Sequence, residues 1–207
     1  MTGALLALLA FSAPTAAAAD ATWMASAPTQ GAWVTRAQVG WPWSSTQTQV
    51  GLSERFSLQV NATTAVLRRW QGQAGLGCAL LRTPRLHLSG ALLAGGVVQP
   101  GGAAGAQPLV GPQVEVQVRA AVPLRVMPWV SLASQHLVQV ETTHVLSASG
   151  ESVERTLTHL WTPWLKVGAG IPLGERLGLE LGVDLARVDG AFALPGIHGA
   201  LALRSGS

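Results

Sequence analysis

From Gly31 to Arg204, apolar and polar residues alternate at period two in ten segments. Val114, Val116, Val118, Ala120 and Val122 share one face, opposite Gln113, Glu115, Gln117 and Arg119. Leu177, Leu179, Leu181, Val183 and Leu185 lie opposite Gly178, Glu180, Gly182 and Asp184. Phe56, Leu58 and Val60 lie opposite Ser57, Gln59 and Asn61. Successive side chains of a strand point to opposite faces, so this period predicts strands with one apolar and one polar face. The expected strands are Gly31–Trp41, Thr46–Ser53, Phe56–Thr64, Trp70–Leu81, Arg85–Gly95, Pro112–Val122, Trp129–Thr143, Glu154–Ile171, Arg176–Val188 and Gly196–Arg204. Short and longer connections alternate between them. Glu54-Arg55, Thr83-Pro84, Pro123–Pro128 and Leu173-Gly174-Glu175 are short. Gly96–Gly111 is long and rich in Gly, Ala and Pro, and Ser147–Glu151 is a polar loop. This organisation predicts an all-β fold, an antiparallel up-and-down β-barrel of ten strands. Eight is the alternative, if the first two strands form a separate hairpin or merge.

Alternation alone fits both a soluble barrel with an apolar lumen and a membrane barrel with a polar one. The polar face discriminates. It carries Gly40, Gly51, Gly75, Gly77, Ala91, Gly168 and Gly182 among its polar residues. A solvated exterior would carry long Lys and Glu side chains, whereas a cramped lumen needs small ones. The apolar face is therefore expected in lipid, which makes the barrel transmembrane. An Arg near the midplane of that face would cost about 2–4 kcal/mol, and the third, sixth and ninth segments place none there. Strict parity puts His136 on the apolar face, and a bulge near residues 134–137 is expected to move it. Trp41, Trp43 and Trp70 fall at the loop ends of strands and Trp33 and Trp129 at the turn ends. They are expected to form two interfacial girdles, although the chain has no Tyr.

Val50-Gly51-Leu52-Ser53-Glu54-Arg55-Phe56-Ser57-Leu58 resembles the strand–tight turn–strand pattern of small bacterial outer-membrane β-barrel proteins. Ile171-Pro172-Leu173-Gly174-Glu175-Arg176-Leu177-Gly178-Leu179 repeats the type. The resemblance covers most of the chain and is one of pattern, with no family-specific motif. It implies residence in the outer membrane of a Gram-negative cell, contact with outer-membrane lipid and insertion by the barrel assembly machinery. Such barrels usually end in an aromatic residue, whereas this chain ends Leu203-Arg204-Ser205-Gly206-Ser207.

Composition narrows the reading further. Charged residues are 11% of the chain, against roughly 25% in an ordinary soluble domain. No stretch beyond residue 22 reaches the roughly 18 apolar residues of a helical span. Net charge is only +3 and the arginines are scattered, so there is no clustered patch for nucleic acid. Cys78 is the only cysteine and excludes an intramolecular disulfide. It falls on the apolar face with Leu76 and Leu80. Residues 1–19 read as a signal peptide, with an apolar run from Leu5 to Phe11 and small residues Ala17-Ala18-Ala19 before Asp20. Residues 20–30 read as an irregular lead-in and 31–207 as the barrel, a monomer.

The candidate chemistry lies on the polar face. Arg36, Gln38, Gln59, Asn61, Gln73, Glu115, Arg119, Glu141, Lys166, Glu180, Asp184 and Arg204 are expected in the lumen. Arg36 and Arg204 should face Glu180 and Asp184 once first and last strands meet. Such charges need partners. They form either an ion-pair network that fills the lumen or the lining of a narrow polar pathway. Glu141, His144 and Ser147 are weak candidates for a rim hydrolase, resembling outer-membrane lipid A deacylases or phospholipases. Omptin-type proteases are also ten-stranded, but the barrel segments offer only Asp184 and Asp189, without a second Asp pair. His87 and His198 lie on the polar face of separate strands, and no metal site or cofactor is expected. The leading expectation is a structural or interaction barrel with a largely filled lumen. A narrow channel or passive transporter comes second and a lipid hydrolase third.

Overall fold

The computed structural model describes residues 22–25, 28–65, 69–99, 109–147, 150–188, 191–192 and 196–205, with the backbone alone described at 22, 109, 140–147, 150–154, 186–188 and 191–192. The expected signal peptide lies outside the described residues. The strands are β1 (Trp33–Trp41), β2 (Trp43–Gly51), β3 (Phe56–Ala65), β4 (Arg69–Arg82), β5 (His87–Gln99), β6 (Leu109–Ala121), β7 (Met127–Ser147), β8 (Gly150–Pro172), β9 (Leu177–Val188), the two-residue β10 (Ala191–Phe192) and β11 (Gly196–Arg204). Each of the long strands pairs antiparallel with its sequence neighbours. β11 returns to β1 from Val34↔Arg204 to Trp41↔Ile197, and β8 pairs with β9, so the sheet closes into a ten-stranded barrel. β10 only extends β9 at the loop end.

Closure removes every sheet edge from the wall, which is what a span through hydrocarbon requires. Outward-facing Leu58, Val60, Leu76, Leu92, Val116, Val118, Leu132, Leu181 and Leu201 are exposed around the cylinder. The inward alternates include buried Ser57, Gln59, Gln73, Gln113, Glu115, Glu180 and Asp184. A protein in water would reverse this arrangement, because apolar area left in water forgoes about 25 cal/mol per Å². Cys78 is half-buried in its row.

The turn ends follow the expected segments. Leu52 N–H donates to Phe56 O, Thr83 N–H to Leu86 O and Leu173 N–H to Leu177 O, each closing a tight reversal. The loop ends depart from expectation. β1 and β2 are separated by Pro42 alone, which cannot donate to a ladder. The strands flanking the long Gly/Pro-rich segment extend into it as far as Gln99 and Leu109. The expected polar loop Ser147–Glu151 is largely strand, with Ser147 paired to Gly150. Consequently β7 and β8 outrun their neighbours. The β6–β7 pairing ends at Gln113↔Leu137 and the β8–β9 pairing at Trp164↔Ala186, while β7–β8 continues to the tip. About ten residues of each strand stand beyond the wall as a two-stranded ribbon of roughly 30 Å.

The bulge expected at residues 134–137 is absent. β7 pairs with β6 and β8 without a register shift, and the irregularity falls instead between Ala79 and Leu81 in β4. His136 stays on the outward face because Ser134 and His159 satisfy its ring nitrogens there. The exterior assignment is open to test. Val116→Arg, at mid-strand on the outward face, should lower stability by about 2–4 kcal/mol in lipid vesicles, read from the urea midpoint. Gln117→Arg, its inward neighbour, should cost markedly less.

Candidate functional site

Residues 22–25 lie inside the barrel at its turn end. A single helical turn, α1 (Thr22–Ala25), sits inside the mouth. Trp23, Met24 and Ala25 are buried against Val34, Ala121, Met127, Trp129 and Ala202. Gly31, at φ 76°, makes the left-handed turn that takes the chain from the mouth into β1. Its N–H donates to Gly51 O, and Gly51 N–H donates to Ala32 O. Gly178 is part of the seat, since a methyl group there would overlap Met24 Sδ. The residues expected to be an irregular lead-in thus supply part of an apolar cluster at the turn end of the interior. The sequence signal was the pair Trp23-Met24, too apolar for a solvated linker.

Above the turn, Arg36 holds it in place. Arg36 Nη2 donates to Met24 O at 2.8 Å, and its Nε donates to Glu180 Oε1 at 3.3 Å. Arg119 Nη2 donates to the same oxygen at 3.0 Å. Glu180 therefore bridges β1 and β6 across the barrel. The Arg119 guanidinium also lies 4.7 Å from the centre of the Trp129 ring. Next to it, His198 Nδ1 is 3.2 Å from Asp184 Oδ1, without the alignment of a hydrogen bond. Gln38 Nε2 donates to Asp184 Oδ2 at 3.5 Å. Lys166 is the register partner of Asp184. Gly182 leaves room for the His198 ring, because a Cβ there would come within 2.7 Å of it.

The rest of the lining is amide-rich. Gln49 Nε2 donates to Gln59 Oε1 at 2.7 Å, and Gln59 Nε2 to Asn61 Oδ1 at 3.2 Å. Glu115 accepts from Gln73 and Gln135 at 3.2 Å each and from Gln117 at 3.0 Å. Three neutral donors satisfy this carboxylate where Arg36 and Arg119 satisfy Glu180. Trp43 from β2 meets Trp164 from β8 edge to face, with centroids 5.3 Å apart. Arg69 lies 5.7 Å from the Trp43 centroid and Lys166 5.9 Å from that of Trp164. Two polar cavities remain, of about 90 and 100 Å³. Each has room for a few waters.

The expected lumen residues Arg36, Gln38, Gln59, Asn61, Glu115, Arg119, Lys166, Glu180 and Asp184 all lie on the inward face, and most touch one another through the bonds above. Arg204, paired with Val34 at the turn-end rim, stands apart from Glu180 and Asp184. Trp33, Trp41 and Trp70 are exposed on the outside, at strand ends. Trp43 and Trp129 correct the girdle assignment. The first meets Trp164 within the loop-end half of the lumen and the second is buried against α1. Trp161, within β8, is exposed on the outward face. The side chains of Glu141, His144 and Ser147 lie outside the described residues.

No protein-family model matches the chain, and no curated protein matches it. Solved structures of similar shape are bacterial barrels. The N-terminal β-barrel domain of Pseudomonas aeruginosa OprF is 9% identical, over 86% of this chain and 100% of that one, with a TM-score of 0.34. The NanC porin is 10% identical over 84% and 99%, with a TM-score of 0.32. Pseudomonas aeruginosa OccK1 (OpdK) is 12% identical over 84% of this chain and 66% of that one, with a TM-score of 0.30.

Glu180 carries the test of the network. Glu180→Gln leaves two guanidinium groups facing a neutral amide and should destabilise the barrel by about 3–5 kcal/mol. Replacing Arg36, Glu180 and Arg119 together by apolar residues should cost less than that single change. Urea midpoints of the refolded variants would separate the two.

Proposed function

We infer that this chain is an outer-membrane β-barrel with a structural or interaction role and a lumen closed to solutes. The observation that carries the reading is the seat of Met24. A fully buried apolar side chain fills the turn-end mouth, anchored through its carbonyl by Arg36, and Arg36 is itself tied across the barrel by Glu180 to Arg119. The apolar exterior supports residence in a bilayer. Insertion by the barrel assembly machinery and a monomeric state complete the proposal. The projecting β7–β8 ribbon supports an interaction role, because it presents polypeptide beyond the wall without widening any passage.

A narrow passive pathway is the second reading, and the amide-lined cavity of the loop-end half, between Trp43, Gln73 and Glu115, favours it. Planar-bilayer recording separates the two. The intact chain should give no steady conductance. Deleting Thr22–Ala25 should raise ion leak by removing the apolar seal. A steady open level from the intact chain would overturn the closed-lumen reading in favour of the pathway.

A further inference from the structure

Four polar residues meet on the outward face at the root of the β7–β8 ribbon, in rows that otherwise carry Val130, Leu132, Val138 and Leu157. Trp161 Nε1–H donates to Ser134 Oγ at 2.9 Å. Ser134 Oγ lies 3.0 Å from His136 Nε2, and His136 Nδ1 lies 3.1 Å from His159 Nε2. The two imidazoles are 14° from parallel, with centroids 5.2 Å apart. The group sits one residue short of Leu137, where β7 parts from β6. A strand crosses a bilayer in about 9–11 residues, so a crossing counted from Trp129 ends close to this level. His159 is exposed at this level.

The bonding pattern supplies what a metal-binding histidine needs. An indole N–H can only donate, so Ser134 Oγ accepts from Trp161 and keeps a lone pair for the Nε2–H of His136. In that tautomer His136 Nδ1 presents a bare lone pair toward His159 Nε2. A ligating imidazole has its far N–H held by a second partner in this way, which fixes both ring and tautomer. Nitrogens 3.1 Å apart fit two adjacent ligands of one ion with bonds of about 2.0–2.1 Å, at an angle near 98°. A metal ion would replace the proton that the two rings otherwise share.

We propose that His136 Nδ1 and His159 Nε2 form a two-histidine site for a borderline divalent ion such as Zn²⁺, Ni²⁺ or Cu²⁺. Ser134 and Trp161 are its positioning residues. Imidazole nitrogen suits these ions better than Mg²⁺ or Ca²⁺. No group of three or more His, Cys, Asp or Glu able to hold a metal occurs among the described residues. Water therefore completes the coordination, and the ion exchanges. Its effect is to pin the two strands together where they leave the wall.

The test is titration of the chain, refolded in detergent, with Cu²⁺, followed by calorimetry and electron paramagnetic resonance. The expected result is one tight ion per chain with hyperfine structure from two nitrogens. His136→Ala and His159→Ala should each weaken binding at least tenfold and remove one nitrogen from the spectrum. Ser134→Ala should weaken it less, and His87→Ala, in the lumen, should leave it unchanged. Heat-modifiable gel mobility identifies the variants that still fold. The proposal fails if folded His136→Ala and His159→Ala bind Cu²⁺ as the parent does. It fails equally if the parent binds no more tightly than a folded double variant.

Discussion

Closure of β1 on β11 is the constraint from which the other features follow. A bilayer offers no water to backbone N–H and C=O groups, so every strand in the wall needs a partner on both sides. The first strand obtains its second partner only from the last. That pairing, from Val34↔Arg204 to Trp41↔Ile197, brings Arg36 into the same enclosed space as Glu180 on β9. Period-two alternation then sends most apolar side chains outward and most polar ones inward. The interior charges, Arg36, Glu115, Arg119, Glu180 and Asp184, follow from that parity.

Such an interior must be satisfied residue by residue. Two devices do so here. Glu180 is neutralised by two guanidinium groups from opposite sides of the barrel, whereas Glu115 is solvated by three amides that carry no charge. The first ties distant strands together; the second fixes β4, β6 and β7 locally. Both lie in a low-dielectric enclosure, where a polar group left without a partner is costly. Glycines on the same face, such as Gly178 and Gly182, leave space for Met24 and His198.

The alternation made the fold legible, together with the strand count, the tight turns and the inward set from Arg36 to Asp184. Features set by pairing at a distance were not legible. Period two fixes a side chain's face but not its height, so Trp43 and Trp129 could not be told from girdle residues until β8 and α1 were seen against them. The length of the ribbon was hidden because Ser147–Glu151 has the composition of a loop, and only the partner strand converts it to ladder. His136 was a case of correct parity and a wrong remedy. The outward position needed no bulge once His159, twenty-three residues away, supplied a hydrogen bond. The buried turn α1 was missed because four residues are too few to show a periodicity.

That turn bears on the order of assembly. Its seat draws on β1, β6, β7, β8, β9 and β11, through Val34, Ala121, Met127, Trp129, Gly170, Gly178 and Ala202. The earliest described residues of the chain therefore have no binding place until the C-terminal strands have arrived. Seating of this turn and circularisation of the sheet are therefore linked, because β11, which closes the barrel on β1, also supplies Ala202 to the seat.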